Sequence, residues 1–426
     1  MNTGKIESSD ETIKDKDYYV PYNMDLHIRR FSNKPKLVDL DLNLRMKIYE
    51  LLEITGEDAN RGDLRIFDED KEESLILIHY LNLHPAVYHV RGIVFDISDN
   101  DHPFIVASSF AYTEDIIPSS LRKDFQITED MYITKTTEGT AMRIFQSKSG
   151  KWHIATHKKL RGANSKWSGP TFGEIFDSVW GTQEDHPFSN YLDPELCHIF
   201  LLASPENRLV CRIPSPSMTL VGQFRRCENG RMKLSSDLTL LSPHENVEFQ
   251  IQSVYDTEEE LILAAENLNW EEYTGFLIVR EDGGVMTCFK LVPQGYARRR
   301  AIRGNEPNLT LRYLQLRCED GDIKTTDMID LFPEHKNLFD DIEKDLRKLP
   351  IHLRTLYFRR YRESGYIRMP GEEYHIVGYV YDNFNSKYNV LENIKQKISN
   401  SDARQLNAMI KHMNKPERYY TYNYDE

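Results

Sequence analysis

Between residues 74 and 292 the chain is a succession of short apolar runs broken by turn residues, and that pattern confines the fold more than any other feature. The runs LILIHYL, HVRGIVFDI and HPFIVASSF are separated by Asn, Asp and Pro, as strands joined by turns would be. Further pairs of runs read as hairpins: MYITKTTEGTAMRIFQ with KWHIATHKKL around Ser147–Gly150, LCHIFLLAS with RLVCRIP around PEN, and EYTGFLIVRE with GVMTCFKLV around Asp282–Gly283. Helical stretches interrupt them around Gly173–Val179 and Glu258–Asn267. After residue 325 the period changes: Leu338, Ile342, Leu346 and Leu349 recur at three and four residues. Ser401–Asp402 is placed to cap a last helix carrying Leu406, Met409 and Ile410. An early helix is expected over Asp41–Ile54, with Leu44, Ile48, Leu51 and Leu52 on one face and Gly56 as its stop. The chain therefore reads as α+β, an antiparallel-sheet body followed by a C-terminal helical module. The expected domains are a flexible lead (1–36), the body (37–312) and the helical domain (313–426).

Composition narrows the class. Hydrophobic residues at 40% and charged residues at 28% exclude wholesale disorder. A net charge of −13 excludes a uniformly basic nucleic-acid coat but leaves room for a local basic groove. No apolar run approaches the roughly 18–20 residues of a membrane helix, so no membrane partner is expected. The first 17 residues lack the apolar core of a secretory signal. Five cysteines without a CxxC pair fit a reduced, intracellular and cytoplasmic protein. No GxxxxGK[ST], strand-borne GxGxxG, HExxH or GxSxG motif occurs. His153 and His157 lie four apart in a β pattern and read as solvated strand residues, not a metal pair; no metal ligand is identified.

The string Lys135-Thr-Thr-Glu138-Gly139-Thr140 carries the chemistry. A lysine and a carboxylate beside a glycine suit attack on a nucleotide by an amine, with backbone approaching the ligand at the glycine. In order along the chain come VRGIVFDI, IVASSF, ITKTTEGT, IATHKK, FLLASPENRLV, TGFLIV and CFKLV. This series, over roughly residues 75–300, resembles the adenylyltransferase domain of the T4 RNA ligase 1 family, within the covalent nucleotidyltransferases. The resemblance implies an ATP-grasp-like ligase body and a viral origin of the large-DNA-virus type. It implies ATP with Mg2+ or Mn2+ as cofactors, and RNA as the partner whose ends are joined or repaired through a lysyl-AMP. Lys135 would be the nucleophile. Arg91, Glu138, Gly139, Arg208 (of SPENR) and Lys290 would hold the nucleotide.

Four positions depart from the family pattern. Lysine and carboxylate are three apart instead of two, so Thr136 stands where the family has lysine, unless a β-bulge restores the facing. Leu201 and Thr274 stand where glutamates are expected, and Val292 replaces the second lysine of the last strand motif. Two arginine clusters are candidates for RNA: the Arg298, Arg299, Arg300 and Arg303 loop, and the helix bearing Arg359 and Arg360 among Tyr357, Phe358 and Tyr361. Two readings follow. One is an RNA-ligase-like nucleotidyltransferase with an altered centre; the other is a catalytically inactive ligase-fold protein acting in RNA binding or viral assembly.

Overall fold

The computed structural model describes residues 31–121, 125–282, 285–320, 322–363 and 366–423. The chain divides into two compact units, one ending at Ala301 and the other beginning at Ile302.

In the first unit, α1 (Leu42–Leu52) is capped by Asp41, whose carboxylate accepts from the Asn43 and Leu44 amides. It ends at Glu53 in the left-handed region, φ 55°. Gly56, expected as a stop, instead opens α2 (Gly56–Arg61), because the Thr55 hydroxyl and the Asp58 carboxylate form a capping box there. The first sheet runs β1 (Leu64–Asp70), β2 (Leu75–Tyr80), β3 (Arg91–Asp96), β4 (Phe104–Ala107), all antiparallel. Its β2 is buried throughout because both faces are covered. Ile66, Ile78 and Phe95 meet Leu44, Ile48 and Leu52 of α1 on one face. On the other, Phe67, Leu77 and Val94 meet Phe145, Ile199 and Phe224 of the second sheet.

The chain then continues through β5 (Thr113–Ile116), β6 (Tyr132–Thr136), β7 (Thr140–Gln146), β8 (Trp152–Ala155), α3 (Phe172–Trp180), β9 (Leu196–Ala203), β10 (Ser217–Arg226), β11 (Met232–Leu234), β12 (Val247–Phe249), α4 (Glu258–Glu266), β13 (Gly275–Asp282), β14 (Val285–Leu291) and α5 (Gln294–Arg303). The second sheet has the order β11-β10-β9-β7-β8, with β12 beside β10; the third has the order β5-β14-β13-β6. Met142, Phe200 and Leu220 pack on Phe176 and Trp180 of α3. Ile133, Phe276 and Leu291 pack on Leu261 and Ala265 of α4.

The hairpins about Ser147–Gly150 and after Asp282 form, although Gly283 lies outside the described residues. The hairpin about PEN does not. Its second run, residues 208–213, is not a strand, and β9 pairs instead with β7 and β10. The long run from Met131 to Gln146 is split, so that β6 joins the third sheet and β7 the second. His153 is buried and stacked on Phe145, ring centroids 5.2 Å apart, where solvent was expected; His157 falls beyond the end of β8.

The second unit is built on α6 (Leu309–Asp320), α7 (Asp322–Leu331), α8 (Lys336–Tyr361), α9 (Gly371–Asp382), α10 (Val390–Ile398), α11 (Ala403–Met413) and α12 (Pro416–Tyr419), with a two-stranded ribbon of β15 (Tyr366–Arg368) and β16 (Thr421–Asn423). Asp402 caps α11 as expected, accepting from the Arg404 and Gln405 amides, and Leu406, Met409 and Ile410 are buried. Ile342 and Leu349 of α8 are buried, whereas Leu338 is 38% exposed and Phe339 takes its place in the core. Among the described residues no helix is long and apolar enough to cross a membrane.

Candidate functional site

The pairing of β6 with β13 is regular from Tyr132–Val279 to Thr136–Gly275, with no bulge. Alternation along the strand therefore puts Lys135 on the face of Ile133, with Phe276 directly across, and Thr136 on the opposite face with Thr134 and Leu277. Lys135 is exposed; its ammonium lies 5.4 Å from the Tyr273 ring centroid. Thr136 is buried, and its hydroxyl lies 2.6 Å from that of Thr274. The Thr274 amide donates to the Thr136 carbonyl at 2.7 Å. Two of the four departures from the family pattern are therefore bonded to each other.

Glu138 sits in the link between β6 and β7, 5% exposed. Its carboxylate accepts from the Leu209 amide (2.6 Å), the Val210 amide (2.7 Å) and the Tyr296 hydroxyl (3.0 Å). Burial, then the Glu138 charge, push the Tyr296 phenol well above its usual range, so it stays a neutral donor. The SPENR motif explains itself locally. Pro205–Asn207 is a short 3-10 turn in which the Asn207 amide oxygen accepts from the Ser204 backbone, while its nitrogen donates to the Leu202 carbonyl and the Thr140 hydroxyl. This holds Arg208 just after the turn that follows β9, next to the two amides that Glu138 grips.

Gly139 is required by packing. A Cβ there would lie 2.7 Å from Leu201 Cγ and 2.9 Å from the Leu202 carbonyl oxygen. Leu201, the third departure, thus lies over Gly139. Val292, the fourth, is 1% exposed, and its amide donates to the Ile116 carbonyl.

Lys290 pairs with Leu277 across β13–β14 and so shares the face of Thr136. Its ammonium is 3.9 Å from Asp115 of β5. Burial, and then the Glu138 charge, push the buried Cys211 thiol up, while Lys290 and Arg208 oppose the rise. Arg300 likewise opposes the rise at Tyr296. Arg91 sits further along: it donates to the Ala111 carbonyl at 3.4 Å and acts on Cys288, two residues from Lys290 on β14.

The Arg298–Arg303 segment is helical, not a loop: α5 follows Pro293 directly, and Arg299 lies over the Trp270 ring at 3.7 Å. Arg298 is exposed. In the second unit Arg359 is exposed on α8, while Arg360 is half-buried, donates to the Ile367 carbonyl and covers the Tyr374 ring at 4.6 Å. Glu138, Gly139, Arg208, Lys290 and Arg300 are brought together; Lys135 faces away from them. Sequence reasoning missed Tyr296 and Asp115. Neither belongs to a spaced motif, and only the fold carries them to Glu138 and Lys290.

No family model matches the chain. It is 26% identical over 345 residues to the immediate-early protein ICP-46 homolog of Invertebrate iridescent virus 3, covering 77% of this chain and 72% of that protein. It is 26% identical over 216 residues to immediate-early protein ICP-46 of Frog virus 3 (isolate Goorha), covering 47% of this chain and 52% of that protein. Both relatives are viral. Among solved structures, an archaeal ATP-dependent RNA ligase (form 2) aligns with a TM-score of 0.42 at 10% identity, over 88% of this chain and 99% of that one.

Proposed function

We propose that the first unit is a ligase-type nucleotidyltransferase body that has lost self-adenylylation and binds RNA without joining it. Segments far apart in sequence that carry the family resemblance converge: Thr136 on Thr274, Gly139 on Leu201, Glu138 on the residues after Arg208. The observation that carries the loss of catalysis is the bond between Thr136 and Thr274.

Adenylylation needs a deprotonated amine aimed at the α-phosphate and carboxylates to hold a divalent ion. Two threonine hydroxyls supply neither. The Glu138 oxygens already accept three bonds from the protein, two at Oε1 and one at Oε2, so most of the carboxylate's acceptor capacity holds the fold together. The residues present at this centre do not fit ATP and Mg2+ or Mn2+ in the manner the resemblance implies. What remains is a set of cations, Arg208, Lys290 and Arg300, suited to phosphate. Arg298 and Arg299 extend that basic surface on α5.

One observation favours active ligation instead: Lys135 is an accessible amine beside Tyr273. Incubation with α-labelled ATP, alongside salt-dependent RNA binding, separates the two. RNA binding with no covalent label supports our reading; a label lost on Lys135→Ala supports the other.

A further inference from the structure

The second unit contains a donor cluster unrelated to the site above. Glu372 and Glu373 open α9, and His412 comes from α11; one ligand atom from each lies within 4.8 Å of the others. Among the described residues no other group of three or more His, Cys, Asp or Glu converges in this way.

Glu373 is fully buried, 0% exposed. One of its oxygens, Oε1, is well served: His412 Nδ1 lies 2.9 Å away, and the Tyr420 hydroxyl donates at 2.9 Å. Tyr420 is in turn contacted by His352 Nε2 at 3.0 Å. The other oxygen, Oε2, has no hydrogen-bond partner. A buried carboxylate oxygen left bare is costly, and native proteins rarely tolerate one without a water or an ion. The first-turn amides of α9 do not reach it, and the neighbouring Glu372 adds a second negative charge beside it.

We propose that Glu372, Glu373 through Oε2, and a ring nitrogen of His412 bind a first-row divalent cation of the Zn2+ type. Donors at about 2.0–2.2 Å from one ion stand within about 4.4 Å of each other, so the cluster needs little closure. The nitrogen donor argues against Mg2+ or Ca2+, which take oxygen. Two carboxylates and a neutral imidazole balance the ion's charge, and the ion satisfies the bare oxygen. Tyr420 then acts from behind, holding Glu373 as outer partners hold metal-binding carboxylates. Such an ion ties α9 to α11.

The test uses the full chain, stripped with chelator, titrated with Zn2+ alone, desalted and assayed for metal. The wild type should retain about one equivalent more than Glu372→Gln or His412→Ala. Zn2+ should raise the melting temperature of the wild type and not of those variants. Glu372 is only half-buried, so Glu372→Gln should fold, with a melting temperature in chelator matching the wild type, and it decides the matter if His412→Ala does not fold. Equal zinc retention by folded wild type and Glu372→Gln overturns the proposal, as does a wild type that retains none.

Discussion

Thr136, the last residue of β6, and Thr274, the residue just before β13, have their hydroxyl oxygens 2.6 Å apart, at the two positions where the resemblance expects a nucleophilic lysine and an ion-binding glutamate. A lysine opposite a threonine would leave a buried ammonium without a counter-charge, and a glutamate opposite a threonine would leave a carboxylate. The pair is therefore self-consistent as two replacements together. Thr136→Val or Thr274→Val alone removes the hydroxyl–hydroxyl bond, while the remaining hydroxyl keeps its bond to a backbone carbonyl, and should cost about 0.5–1.5 kcal/mol. The double variant should cost less than the sum, with a coupling of about 1 kcal/mol, read by denaturant unfolding.

Glu138 is a structural clasp. Glu138→Ala leaves two amides and a phenol unsatisfied in a buried space and should destabilise by roughly 3–5 kcal/mol. Glu138→Gln can accept at one oxygen only and should cost less. If Glu138→Ala melts like the wild type, the clasp carries no stability.

Gly139→Ala should destabilise by about 1–3 kcal/mol, because the added methyl meets Leu201 Cγ and the Leu202 carbonyl. Combining it with Leu201→Ala relieves the side-chain contact but not the backbone one. The double variant should recover part of the loss in thermal unfolding.

Acid should weaken the protein through His198. The Gln223 amide is oriented by the Thr239 backbone, accepting from its N–H and donating to its carbonyl, so Gln223 Nε2 faces His198 Nδ1 at 2.9 Å. The imidazole must accept there while its Nε2 donates to the Asp193 carbonyl, which fixes the neutral form. Burial lowers its pKa to about 4. The unfolded chain therefore binds this proton first as pH falls. The stabilisation is complete above about pH 6.5 and is lost progressively toward pH 4, roughly 3 kcal/mol over the full window. Unfolding titrations of wild type and His198→Asn should diverge in slope between these limits; parallel slopes would contradict the assignment.

Arg208 and Lys290 should act on RNA through phosphate. Neutralising both should lower affinity and reduce the salt slope by about 1.4, the loss of two single-strand phosphate contacts. An unchanged slope would place RNA elsewhere on the molecule.

The α+β body and the helical second unit were legible because apolar period is a local signal: β13–β14, α3, α4 and the Asp402 cap all form where spacing put them. Sheet membership was not. Nothing local to Met131–Gln146 says that β6 and β7 part at Glu138, nor that β9 pairs with β7 in place of the run after PEN. The facing of Lys135 depended on whether β6 carried a bulge, and its register with β13 decides that. The hydroxyl pair at Thr136 and Thr274 spans 138 residues, and only the completed sheet brings it together.

The central claim, that this body does not adenylylate itself, is tested by incubating folded protein with α-labelled ATP and Mg2+ or Mn2+, then measuring label that survives denaturing electrophoresis. The account predicts none above background. An acid-labile adduct that disappears in Lys135→Ala would contradict it.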